Sequence, residues 1–227
     1  MEPICPSPRV VFREVRARTK GDGAPRKCAV NHVMQGYPNY IRHDVYKLAQ
    51  SGWVSAHFTL GNALTEQNVS LNDYAWHAGN ANAPSSPFYD GRNPNIYTVG
   101  LEWEGFATPA PYAPNAPIYS PSNPWPEKMV LDAIGIHKWL FDVGWIEGEP
   151  NEDTITGHFA FNSVSRRNDP GAFWLETVQP DIIESVRGAP QGKLQPEAHS
   201  SNFAALNQRI RAVEQKLEQH SHSVTLE

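Results

Sequence analysis

The chain has 227 residues, is 40% hydrophobic and 19% charged, and carries a formal net charge of −5. That length suits one sizeable domain with an appendage. An acidic balance, with no Lys/Arg cluster interleaved with aromatics, argues against nucleic acid as a partner, and no apolar run approaches the roughly 20 residues that span a bilayer.

The opening MEPICPSPRVVFREV shows no basic segment followed by an apolar one, so no secretory signal and synthesis in the cytoplasm are expected. Residues 1–26, with their prolines and arginines, read as an irregular arm laid over the domain. KCAVNHV (27–33) reads as a short buried strand with His32 near its end. In YPNYIRHDVYKLAQSG, the apolar Ile41, Val45 and Leu48 share one helical face and Gly52 marks a stop. WVSAHFTL (53–60) alternates as a strand, and residues 64–70 do the same. A polar, Asn-rich loop (79–95) leads into the strand IYTVGLEWEG (96–105).

ATPAPYAPNAPIYSPSNPWP follows, too rich in proline for a helix or a sheet interior. It reads as a rigid surface loop, or as one wall of a cleft, since it leaves directly from the strand that carries Glu102. A helix is expected from about Glu127 to Val143, with Met129, Ala133, Ile136 and Leu140 as its inner stripe and Gly144 as its stop. DIIESVRG belongs to the last helix of a domain over 27–187, residues 188–201 form a linker, and 202–222 form a short amphipathic helix. Its Phe203, Leu206, Ile210, Val213 and Leu217 follow the a/d rhythm of a coiled coil, which predicts a homo-oligomer assembled through residues 203–220. Strands alternating with helices, some strands adjacent, predict an α/β domain with a mixed central sheet flanked by helices. The two cysteines, Cys5 and Cys28, are too few for a metal cluster and are expected as free thiols rather than a disulfide.

In GHFAFNSVSRRNDPGAFW (157–174), His158 is followed eleven residues later by Asp169, held in an Asp-Pro-Gly turn with two arginines just before it. Alone, neither residue means much, since such an aspartate is an ordinary turn former. Together with NHVMQG (31–36), VSAHFTL (54–60), AWHAGN (75–80) and TVGLEWEG (98–105), in that order and spacing, the stretch resembles the zinc-dependent N-acetylmuramoyl-L-alanine amidases of type 2. That family includes phage endolysins, bacterial cell-wall amidases and the fold of the peptidoglycan recognition proteins. The resemblance covers residues 27–187.

The resemblance implies one zinc ion per chain, held by His32, His158 and Asp169. Two imidazoles and one carboxylate leave a fourth position open, as catalytic zinc requires. Glu102, in Val-Gly-Leu-Glu, matches the catalytic glutamate; strand alternation puts Glu104 on the same face and cannot choose between the two. Arg167 falls where many relatives carry an oxyanion-stabilising lysine, and Arg166 is the alternative. His77 and Trp76 match residues that line the substrate groove. His57 reads as structural, and His43, His137, His199, His220 and His222 match no motif.

The implied activity is hydrolysis of the amide between N-acetylmuramic acid and the L-alanine of the stem peptide by a zinc-activated water, in a lytic, endolysin-like role on the cell wall after holin-type release. Two other readings go with the resemblance: a non-catalytic peptidoglycan-binding protein, which would have lost a ligand, and an amidase recycling soluble muropeptides.

Overall fold

The computed structural model describes residues 4–34, 52–105, 119 and 123–188. The strands among them are β1 (Val10–Phe12), β2 (Arg18–Thr19), β3 (Cys28–Val33), β4 (Phe58–Leu60), β5 (Thr65–Gln67), β6 (Tyr74–Ala75), β7 (Thr98–Trp103) and β8 (Ile155–Gly157). The helices are α1 (Glu127–Asp142) and α2 (Gln179–Gly188), and none among the described residues is long and apolar enough to cross a membrane. One sheet runs in the order β1-β5-β4-β7-β3-β8, and β2 pairs with β6 apart from it. Only β4 and β5 are antiparallel neighbours within that sheet; β1–β5, β4–β7, β7–β3 and β3–β8 are parallel. The expected mixed α/β sheet is therefore the fold.

Every residue of β3 is buried, as a strand with neighbours on both edges and cover on both faces must be. Its polar Asn31 is fully used: Nδ2 donates to the Thr156 carbonyl at 3.2 Å, and Oδ1 accepts from Trp103 Nε1 at 2.9 Å. On α1 the expected stripe Met129, Ala133, Ile136 and Leu140 is buried, and the helix is followed by Gly144 at φ 72°, a left-handed stop that suits glycine. The last helix starts earlier than the periodicity shows, because a π-helical turn over Trp174–Val178 precedes α2 and buries Trp174 completely.

Two expectations are corrected. Residues 4–26 are not an irregular arm: β1 forms the edge of the sheet against β5, and β2 pairs with β6. A run of Val10, Val11 and Phe12 suits a pleated edge, and Arg9 beside it binds the buried Asp132 of α1 at 3.0 Å. The strand expected over 53–60 is only Phe58–Leu60. Before it, Trp53 and Val54 are exposed, and Ser55 bonds to the Trp76 carbonyl. The helix expected before Gly52, the proline-rich stretch apart from residues 119 and 123–126, and the tail over 203–220 lie outside the described residues.

Candidate metal centre

Parallel pairing decides which side chains meet. In register, His32 lies opposite Glu102 on β7, and Asn31 lies opposite Gly157 on β8, so His158 emerges one residue beyond the strand beside His32. All three residues sit at the C-terminal ends of parallel strands, the usual place for a site in such a sheet.

Asp169 arrives from the turn after β8. One carboxylate oxygen, Oδ1, accepts the Val33 backbone N–H at 2.8 Å, which ties the turn to the end of β3. The other, Oδ2, lies 3.2 Å from His158 Nδ1 and 3.5 Å from His32 Nδ1. The close approach needs a glycine at 157, since a Cβ there would stand 2.5 Å from Pro170 Cδ. Burial, then the neighbouring His158, pushes His32 down to about 4, so its ring is neutral at pH 7.

The tautomers follow from the far side of each ring. His158 Nε2 lies 3.0 Å from the Ala78 carbonyl oxygen, which can only accept. His32 Nε2 lies 3.0 Å from His77 Nδ1, and His77 Nε2 lies 3.1 Å from Thr98 Oγ1. The Thr98 hydroxyl proton goes to the Pro94 carbonyl at 2.8 Å. Thr98 therefore accepts from His77, and His77 accepts from His32. In the Nε2–H tautomer that these acceptors select, each Nδ1 carries a lone pair that faces a carboxylate oxygen.

Three acceptors converging with no proton between them repel one another unless a cation lies among them. The ligand atoms of buried His32, His158 and Asp169 fall within 4.8 Å of one another, a set that fits zinc. Ring nitrogens that donate away from the site are also the common outer support of metal-bound histidine. Three protein ligands, fewer than a closed structural site has, leave room for substrate.

Glu102 stands on the next strand, partly exposed, with Oε2 lacking a hydrogen-bond partner among the described residues. Burial, with the Asp169 charge second, pushes its carboxyl up to about 8. Glu104 is differently placed: it is buried beyond β7 and accepts the Asn62 N–H at 2.8 Å, a bond that supports the loop after β4. A cleft of about 390 Å³ opens beside His158, with Trp53, Val54, Trp76, His77 and Arg166 among its other walls. Trp76 and His77 are thus on the cleft, and Trp76 Nε1 is anchored to Thr19 Oγ1 at 2.8 Å.

Of the two arginines, it is Arg166 that faces the cleft, and its charge reaches His32 and Glu102. Arg167 is exposed and not on the cleft wall. Adjacent turn residues point in different directions, and sequence spacing does not reveal which. His57 is buried away from the ligands, with Nδ1 accepting the Gly100 N–H at 3.0 Å, and burial lowers it to about 3. Cys5 and Cys28 are free, buried thiols, both pushed up by burial. Sequence reasoning missed Asn95, whose Oδ1 accepts two backbone N–H groups of the 77–78 segment, and missed Trp53 on the rim. No signal marked Asn95; an exposed tryptophan beside a glycine turn was the available hint for Trp53.

The family model described as N-acetylmuramoyl-L-alanine amidase matches residues 22–172. No curated protein matches the sequence. Among solved structures, a selenomethionine derivative of AmpD is similar at a TM-score of 0.53 and 19% identity, over 78% of this chain and 96% of that one. A mutant endolysin from Bacillus subtilis is similar at a TM-score of 0.50 and 15% identity, over 78% and 97%. PlyL is similar at 0.50 and 15%, over 78% and 96%. At such identities these three show a shared fold.

Proposed function

The chain belongs to the N-acetylmuramoyl-L-alanine amidase family, and from that premise we propose that it hydrolyses the amide between N-acetylmuramic acid and the L-alanine of the stem peptide, with zinc held by His32, His158 and Asp169. The observation that carries the reading is the meeting of three acceptor atoms within 4.8 Å, beside a glutamate oxygen that has no partner among the described residues. When bound, zinc supplies Lewis acidity that polarises a carbonyl oxygen and makes water a nucleophile near neutral pH.

The chain's own residues do the rest. Glu102 takes a proton from the attacking water at its unpartnered Oε2 and passes it to the amide nitrogen as the bond to L-alanine breaks. A carboxyl raised to about 8 is matched to both halves of that task. Arg166 brings positive charge to the oxygen of the scissile carbonyl, where negative charge develops. Trp53 and Trp76 offer apolar walls to the sugar, and the buried His32 and His77 rings exclude bulk water from one side. Asp169 together with both histidines favours catalysis over mere peptidoglycan binding.

The test is release of stem peptide by the zinc-loaded protein, on purified sacculi and on soluble muropeptides separately. Cleavage that is lost in His32→Ala and with a chelator supports the reading. A protein that takes up no zinc, or that cleaves neither substrate, overturns it. Preference for sacculi indicates a lytic role, and preference for soluble fragments a recycling one.

A further inference from the structure

We propose that Asn95 is a positioning residue that sets the tautomers of both ligand histidines at once, through the two-residue segment His77–Ala78. It touches neither ligand. Asn95 Oδ1 accepts the backbone N–H of His77 at 3.0 Å and that of Ala78 at 2.7 Å. These are adjacent residues whose next contacts diverge. The His77 ring accepts from His32 Nε2, while the Ala78 carbonyl accepts from His158 Nε2. One amide oxygen thus fixes the segment that receives the outer protons of both rings, and so turns both Nδ1 lone pairs inward.

The remaining parts of the brace are built for the same end. Asn95 is 8% exposed, on the inner wall of the cleft, and its oxygen is taken up by those two N–H groups. It sits in the 3-10 turn Pro94–Ile96, and its own N–H is held by Asn93 Oδ1 at 3.0 Å. The same turn offers the Pro94 carbonyl that receives the Thr98 hydroxyl proton and makes Thr98 an acceptor for His77. Gly100 on β7 makes room for the ring: a Cβ there would lie 2.4 Å from His77 Cγ. His77 is therefore both a wall of the cleft and a link from the turn to His32.

A histidine whose outer proton has a fixed acceptor presents one nitrogen to the site in every molecule. A ring without that acceptor divides between two tautomers and rotates, and loss of such outer support commonly weakens metal binding 10- to 100-fold.

The experiment uses the full chain, metal-free and then titrated with zinc against a competing chelator. Nitrogen-15 spectra of the histidine rings in the metal-free protein report the tautomer directly. Wild type should show His32 and His158 as Nε2–H. Asn95→Ala should show mixed tautomers at both rings and bind zinc roughly 10- to 100-fold more weakly, whereas Asn95→Asp, which keeps an acceptor oxygen, should restore both. His77→Phe should disturb His32 alone, since the Ala78 carbonyl stays in place. Unchanged rings in Asn95→Ala, no rescue by aspartate in a folded protein, or a His77→Phe that scrambles His158 as well would overturn the inference. The proposal rests on the metal reading above, and the two fail separately: wild type that binds no zinc ends that reading, while ring spectra indifferent to Asn95 end this one.

Discussion

Glu102→Gln tests the centre through stability and turnover together. The side chain keeps its shape and loses only its charge and its proton exchange. In the folded protein the carboxyl is pushed from 4.5 up to about 8, so between those values the unfolded chain sheds a proton that the folded chain retains. The folded state therefore loses stability as pH rises through that window. At about 1.36 kcal/mol per unit, the 2.5 units from 4.5 to pH 7 amount to at most about 3 kcal/mol, and to less than about 1 kcal/mol at pH 5. Glutamine carries no such cost. The variant, measured by urea denaturation with chelator present, should be more stable than wild type by up to about 3 kcal/mol at pH 7 and nearly equal at pH 5. Its zinc-loaded turnover on muropeptide should fall on the order of 10²-fold or more. Glu104→Ala should do the opposite, leaving the Asn62 N–H without its acceptor and costing about 1.5–3 kcal/mol while turnover largely survives. Equal stability of Glu102→Gln and wild type at pH 7, or near-normal turnover in the variant, would refute the reasoning.

Arg166→Ala should lower turnover about tenfold, since water around an exposed side chain weakens it relative to the ~10²-fold of an enclosed oxyanion donor, and Arg167→Ala should leave kcat/KM nearly unchanged; the reverse ordering in steady-state kinetics would return the role to Arg167. Gly157→Ala should push the Asp169-Pro170 turn off β8, costing about 1–3 kcal/mol in a denaturant titration and weakening zinc binding. His137 is held neutral by burial down to about 4, with Nδ1 donating to the Ala133 carbonyl and Nε2 facing the Asn31 amide. Between pH 6.5 and 4 the unfolded chain takes up a proton that the folded chain refuses, so stability falls as pH falls; His137→Leu should shrink the loss between pH 7.5 and 5 by about 2 kcal/mol. The heptad spacing of residues 203–217 predicts self-association, and light scattering should find a smaller species after truncation following Gly192.

Local periodicity was enough for those elements whose burial follows a simple repeat. CAVNHV was readable as an interior strand from its short, mostly apolar run, and Met129, Ala133, Ile136 and Leu140 from a spacing that puts them on one side of a helix. The candidate metal-binding set was legible through a family motif, a histidine after Thr-Gly and an aspartate before Pro-Gly, and the structure brings those residues to one point with His32. What the motif could not carry was direction. Glu102 and Glu104 were equivalent under strand alternation until β7 ended at Trp103 and Glu104 turned to the Asn62 N–H. Arg166 and Arg167 were neighbours in a turn until the fold put one on the cleft. The arm became a sheet edge because β5 exposed a row of backbone groups for Val10–Phe12 to pair with. Ring tautomers depend on acceptors far along the chain: His32 relies on His77 and Thr98, and His158 on Ala78, eighty residues earlier. Residue type and short-range spacing determine which groups can bind a metal. Which nitrogen faces it, and what holds the ring there, is decided by hydrogen bonds between segments that meet only when the sheet has assembled.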